Sequence, residues 1–230
     1  MNKAMQFGTK TVHAQQSLVD SKLKPDGEMH VLVGGPYTTS KGIEHRYGHT
    51  ALRVKSKKSD LTYDFGRYSD TGGLFGESGD GILRKWLSFA AYIKSENTLN
   101  RKTTGFVYAI FQYQADAINT FFDKKIDGAK VLKGMSDPAK KTYQLKTDYY
   151  ALGPNCTTLS IDGAKAAFPE FDKGSEKYIR PDEVLSFGER FALRTIGGAS
   201  RLFLPANLKD FLLNGSPYKS VRTNSYGSGK

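Results

Sequence analysis

The sequence predicts an α+β protein, an antiparallel sheet packed against helices. Three observations carry that prediction. Several stretches in the first half alternate apolar and polar residues at the β-strand period, other stretches set apolar residues three and four apart on helical stripes, and glycine-rich turns separate them. Of 230 residues, 38% are apolar and 12% aromatic, enough to bury a core and outside the composition of a disordered chain.

The elements follow in chain order. Residues 1–28 are polar, lack a period and run into Lys24-Pro25-Asp26-Gly27, a turn signal, so they predict an irregular arm. MHVLVGG at 29–35, YGHTALRV at 47–54 and LTYDFGRY at 61–68 read as strands, the last two as a hairpin. After a glycine-rich loop at 71–81, ILRKWLSFAAYI at 82–93 spaces Ile82, Trp86, Phe89 and Ile93 as an amphipathic helix does. GFVYAIFQY at 105–113 is the strongest strand signal, and ADAINTFFDKKI at 115–126 is a helix with Ile118, Phe121, Phe122 and Ile126 on one stripe.

A strand at 143–150 then leads through Gly153-Pro154-Asn155 into a helix from Cys156 to Phe168, stopped by Pro169. ERFALRTI at 189–196 reads as a strand and ANLKDFLL at 206–213 as a helix. One catalytic domain therefore spans 29–215, and the Ser- and Gly-rich residues 216–230 form a mobile tail.

Charge and cysteine count narrow the function classes. The net charge of +11 calls for an anionic partner: nucleic acid, a membrane or a bacterial wall. The lysines are scattered and no basic run or nucleic-acid motif occurs, so no nucleic-acid partner is expected. A single cysteine excludes an intrachain disulfide. No secretory signal or membrane-length apolar stretch is present, which predicts synthesis as a soluble cytoplasmic chain with export, if any, by another route.

The chemistry centres on Cys156. It would occupy the first turn of its helix, where the positive end of the dipole favours thiolate, although most free cysteines simply pack in a core. His49 lies on an alternating strand, with Gly48 beside it leaving room for close approach, and is the candidate base; His45, in the loop before it, is the rival. Asp64, on the next strand, could orient the His49 ring across the hairpin, or could equally be an ordinary solvent-facing strand residue. No metal-ligand spacing, phosphate-binding glycine pattern or serine elbow occurs, so no metal or cofactor is expected.

The order of these pieces is informative: "GHTALRV", then "TYDFG", then about a hundred residues later "YYALGPNCTTL" opening a helix. It resembles the circularly permuted branch of the NlpC-like, papain-fold cysteine hydrolases, in which histidine precedes cysteine. The resemblance covers roughly residues 29–168 and implies a papain-like fold with Cys156 as nucleophile, His49 as base and Asp64 as the third residue. Thr157-Thr158 departs from the residues that often follow cysteine in eukaryotic branches, which points to bacterial relatives. It implies cleavage of an amide or peptide bond, with peptidoglycan or another anionic envelope polymer as substrate. A small basic hydrolase of this kind fits a toxin delivered into the target periplasm by a contact-dependent apparatus, such as a type VI effector, with a cognate immunity protein. Two alternatives stand beside it: a lipid-acting thioesterase, acyltransferase or phospholipase on the same scaffold, and a non-enzymatic basic binding module with Cys156 buried.

Overall fold

The computed structural model describes residues 24–38, 44–45, 47–68, 71–72, 78–195 and 198–227. The first 23 residues of the expected arm lie outside them. Eight strands form the main sheet: β1 (Gly27–Gly34), β2 (His49–Lys55), β3 (Asp60–Gly66), β4 (Ile82–Trp86), β5 (Thr103–Ile110), β6 (Lys130–Val131), β7 (Lys140–Gln144) and β8 (Arg222–Tyr226). Their spatial order is β6-β7-β4-β3-β2-β1-β5-β8, and every neighbouring pair is antiparallel. With the helices described next, this is the α+β architecture that the alternation and helical stripes predict.

Both faces of the sheet are covered. Five helices follow in order: α1 (Phe89–Thr98), α2 (Gln112–Ile126), α3 (Cys156–Lys165), α4 (Phe187–Thr195) and α5 (Pro205–Asn214). On one face, Ile118 and Phe122 of α2, Ile161 and Ala164 of α3, and Leu208 and Phe211 of α5 join Val31, Leu52, Tyr63 and Phe106 in the main core. Phe122 stacks on Tyr63 with ring centroids 3.9 Å apart, fixing α2 to β3. On the opposite face α1 covers Leu32, Ala51 and Trp86. A separate cluster of Leu152, Leu185, Leu193, Phe203 and Leu204 ties α4 to the chain that feeds α3.

Three segments differ from expectation, each for a physical reason. Residues 82–93 are not one helix: 82–86 pair as β4 between β3 and β7, and α1 starts only after Ser88, whose side chain caps Ala91 N–H. Ile82 and Trp86 are four residues apart, an even number, so the same spacing that suggests a helix also places them on one strand face. Residues 189–196, read as a strand, lie in α4 as far as Thr195; this helix turns Glu189 inward and Phe187 and Phe191 outward, inverting the usual pattern. The tail is not wholly loose. Residues 222–226 form β8 on the sheet edge, held by backbone pairing to β5 and an Arg222–Glu28 ion pair, so their polar composition reports exposure rather than mobility.

Candidate active site

Helix α3 starts where it does because Asn155 caps it. The Asn155 backbone is extended, its Oδ1 accepts from Thr157 N–H (3.0 Å) and Thr158 N–H (3.1 Å), and Thr158 Oγ1 accepts in return from Asn155 N–H (2.9 Å). Asn155 Nδ2 donates to the Ala151 and Phe203 carbonyls, anchoring the entry loop to the chain beyond α4. Cys156 is thereby fixed as the first helical residue, only 3% exposed, at the positive end of the helix dipole.

His49 is the first residue of β2 and pairs in register with Gly34. Gly48 before it has φ of +72°, and a Cβ there would sit 2.4 Å from the Gly34 carbonyl oxygen, so this turn requires glycine. The hairpin register sets Ala51 opposite Asp64, which brings the Asp64 carboxylate diagonally to His49 on the same sheet face. His49 Nε2 lies 2.5 Å from Asp64 Oδ1. The charges of the His49 imidazole and of the Cys156 sulfur act on each other, each favouring the ionised form of its partner. The three residues singled out in the sequence thus meet, although they come from β2, β3 and α3. His45, the rival base, has its backbone paired with Tyr37, and its side chain lies outside the described residues.

The electrostatics favour an ion pair. Burial alone would lower the His49 pKa, but the Asp64 carboxylate and the Cys156 thiolate override it and hold it at about 10. Burial pushes the Cys156 thiol up, yet the His49 charge and hydrogen bonds from His49, Thr50 N–H and Tyr149 bring it below its ordinary value. Tyr149 Oη reaches to 3.9 Å from the sulfur. Burial also pushes Asp64 up, but Arg84 and His49 hold its carboxyl far below the usual range.

Asp64 is completely buried and takes more than one donor. Tyr68 Oη donates to Oδ1 at 2.6 Å, while Arg84 Nε (2.8 Å) and Trp86 Nε1 (3.2 Å) donate to Oδ2. Arg84 also stacks over the Tyr68 ring at 3.5 Å. Sequence reasoning missed Tyr68, Arg84, Trp86 and Tyr149. Reading 82–93 as a strand would have found Arg84, which pairs in register with Asp64 across β3 and β4.

No family model, curated protein or solved structure matches this chain. Its chemistry therefore has to be read from its own side chains.

A cavity of about 460 Å³ adjoins the start of α3. Its wall is mostly apolar, with Leu152, Leu159 and Phe203 among the lining residues, together with Lys125 and the ion-paired Arg201 and Asp162. Cys156 and His49 do not line it. Among the described residues no cluster of three or more His, Cys, Asp or Glu is placed to hold a metal ion, and no helix is long and apolar enough to cross a membrane.

Proposed function

We propose that this chain is a cysteine hydrolase of the circularly permuted, NlpC-like papain type that cleaves an amide or peptide bond, with peptidoglycan as substrate. The observation that supports this reading most is the buried Cys156–His49–Asp64 relay at the start of α3, where thiol and imidazole are drawn in opposite directions toward thiolate and imidazolium. A cysteine that merely packs in a core has no need of an imidazole backed by a fully buried carboxylate.

The mechanism follows from that geometry. His49 takes the Cys156 proton, and the thiolate adds to the substrate carbonyl. Backbone N–H groups at the start of α3 stabilise the oxyanion. His49 passes the proton to the leaving amine as the C–N bond breaks, giving a thioester. A water, losing its proton to His49, then releases the acid and restores the thiolate. Asp64 stays ionised throughout and steadies the imidazolium. The basic surface suits an anionic wall, and delivery into the periplasm of a competing cell as a type VI effector, with a cognate immunity protein, fits this activity.

The test is digestion of purified sacculi by wild type and Cys156→Ala, with soluble products read by mass spectrometry. The reading predicts new amine and carboxyl termini at one defined bond with wild type and none with the variant. Equal products from both would overturn it. A second reading draws on the apolar cavity beside α3: the same cysteine acts on an acyl ester of a lipid as a thioesterase, acyltransferase or phospholipase. Release of fatty acid from vesicles, lost in Cys156→Ala, with intact sacculi would select it.

A further inference from the structure

Helix α4 offers a face that no described residue covers. At about 100° per residue, Glu189 and Leu193 fall on its inner side, where both are buried. Phe187, Phe191, Arg194 and Thr195 fall on the outward arc, with Arg190 at its edge and half-buried. Phe187 is 79% exposed and Phe191 63%, and they stand one turn apart on the same side of the helix. Arg190 reaches Asp182 only at 3.5 Å, and Arg194 is exposed with no ion pair among the described residues. Of the flanking acids, Glu183 lies beside Arg180 and Asp182 beside Arg190, which leaves Arg194 as the cation of this face without an acid beside it among the described residues, while Glu189 points inward and accepts from Ser186 N–H and Oγ.

We propose that α4 docks this protein onto an anionic lipid bilayer, with Phe187 and Phe191 entering the headgroup boundary, Arg194 meeting lipid phosphates and Arg190 exchanging its Asp182 contact for one. Two bare aromatic rings with arginines along one side of them have the composition of an interfacial helix, and the net charge of +11 draws the whole molecule toward such a surface. A glycan polymer would instead call for hydrogen-bonding side chains at the centre of the patch. On the inner side, Leu193 packs in one cluster with Leu152 and Phe203, with Tyr150 against it, so the docked helix rests on the chain that leads into Cys156. The inference rests on the surface of α4 and is independent of the chemistry assigned to Cys156.

The experiment is co-sedimentation of the full chain with sucrose-loaded phosphatidylcholine vesicles, with and without about one-third phosphatidylglycerol. Wild type should bind the anionic vesicles and not the neutral ones. Phe187→Ser/Phe191→Ser and Arg190→Gln/Arg194→Gln should each weaken partitioning by about tenfold or more. Both rings face solvent, so the serine variant should keep the wild-type Tm. A Phe191→Trp variant adds a direct reading, since the single native tryptophan, Trp86, is only 4% exposed. Its emission should shift to the blue on adding anionic vesicles. Unchanged vesicle binding by the serine variant, or an unshifted emission from the Phe191→Trp variant, would overturn the proposal. So would a wild type that ignores vesicles while the serine variant loses binding to sacculi, which would make the face a polymer contact.

Discussion

At the residue scale, the proposed hydrolase divides the relay into groups that would make bonds to substrate and groups that would hold them. Cys156 and His49 are the former, Asp64, Arg84, Tyr68 and Trp86 the latter. Asp64→Asn should therefore lose less activity than Cys156→Ala or His49→Ala in sacculus digestion, and equal, complete loss in a folded variant would show that the acid does more than orient. Among the described residues, Arg84 is the one cation bonded to the fully buried Asp64 besides His49. Arg84→Gln should cost ~3 kcal/mol in urea denaturation at neutral pH, the scale expected when one partner of a buried pair is removed. A loss well under 1 kcal/mol would mean that Tyr68, Trp86 and His49 suffice to hold the carboxylate.

The sign of the pH dependence follows from the same residues. His49 is raised in the fold to about 10 from an ordinary 6.5, so its contribution is complete below about pH 6.5 and is lost as pH rises through 10. Asp64 is depressed, so its contribution is present above the ordinary carboxylate range and lost as pH falls through the acid range. In the Cys156→Ala background, which removes the thiol's own titration and its share of the upward shift on His49, the Asp64 carboxylate still raises the imidazole, and the Tm advantage of His49 over His49→Gln should shrink as pH rises above about 6.5. A constant or growing advantage would contradict the charged-histidine assignment. Cys156, His49 and Asp64 were legible in the sequence because a glycine-flanked histidine, a hairpin acid and an Asn-Cys helix start are local signals. Arg84 and Tyr149 were not, because their roles depend on which strand lies beside which.

At the element scale, the site depends on two starts: β2 at His49 and α3 at Cys156. Asn155 sets the second, with two bonds into the helix and two to carbonyls outside it. Asn155→Ala should lower stability by ~2 kcal/mol, a lost cap plus unpaired buried groups, and should reduce activity by loosening Cys156. Unaltered stability with full activity would show that Gly153-Pro154 alone fix the turn. Deeper in α3, a Cβ at Gly163 would meet the Phe122 ring at 2.7 Å and Leu52 at 3.0 Å, so glycine sets how closely the helix approaches β2. The strands β1 to β3 and the helices α2, α3 and α5 were readable because their periods are clean. β4 and α4 were not: Ile82 and Trp86 of β4 sit four apart, a spacing that a helix shares, and α4 exposes its phenylalanines while burying Glu189.

At the scale of the whole molecule, the sheet, with α1 on one face and α2, α3 and α5 on the other, acts as a rigid frame that presents the relay at the ends of β2 and α3. The charge of +11 belongs to this scale, because it is spread over the surface rather than gathered in a motif. Binding of Cys156→Ala to intact sacculi should weaken as salt rises, since exposed charges are screened over roughly 10 Å at 0.1 M. Turnover of a small soluble fragment by wild type should change much less. Salt-insensitive sacculus binding would remove charge as the targeting device.

The pairing of Cys156 with His49 is most directly tested by the pH profile of Cys156 alkylation with iodoacetamide, wild type against His49→Ala. The chain holds a single cysteine, so the label reports this sulfur alone. Wild type should lose less of its alkylation rate between pH 8 and pH 6 than an ordinary free thiol does, because His49 lowers the Cys156 titration. His49→Ala, folded by circular dichroism, should be slowed by about tenfold or more at pH 6 and regain speed only toward pH 9. Superimposable profiles, or a thiol inert in both folded proteins, would contradict the nucleophile–base pair.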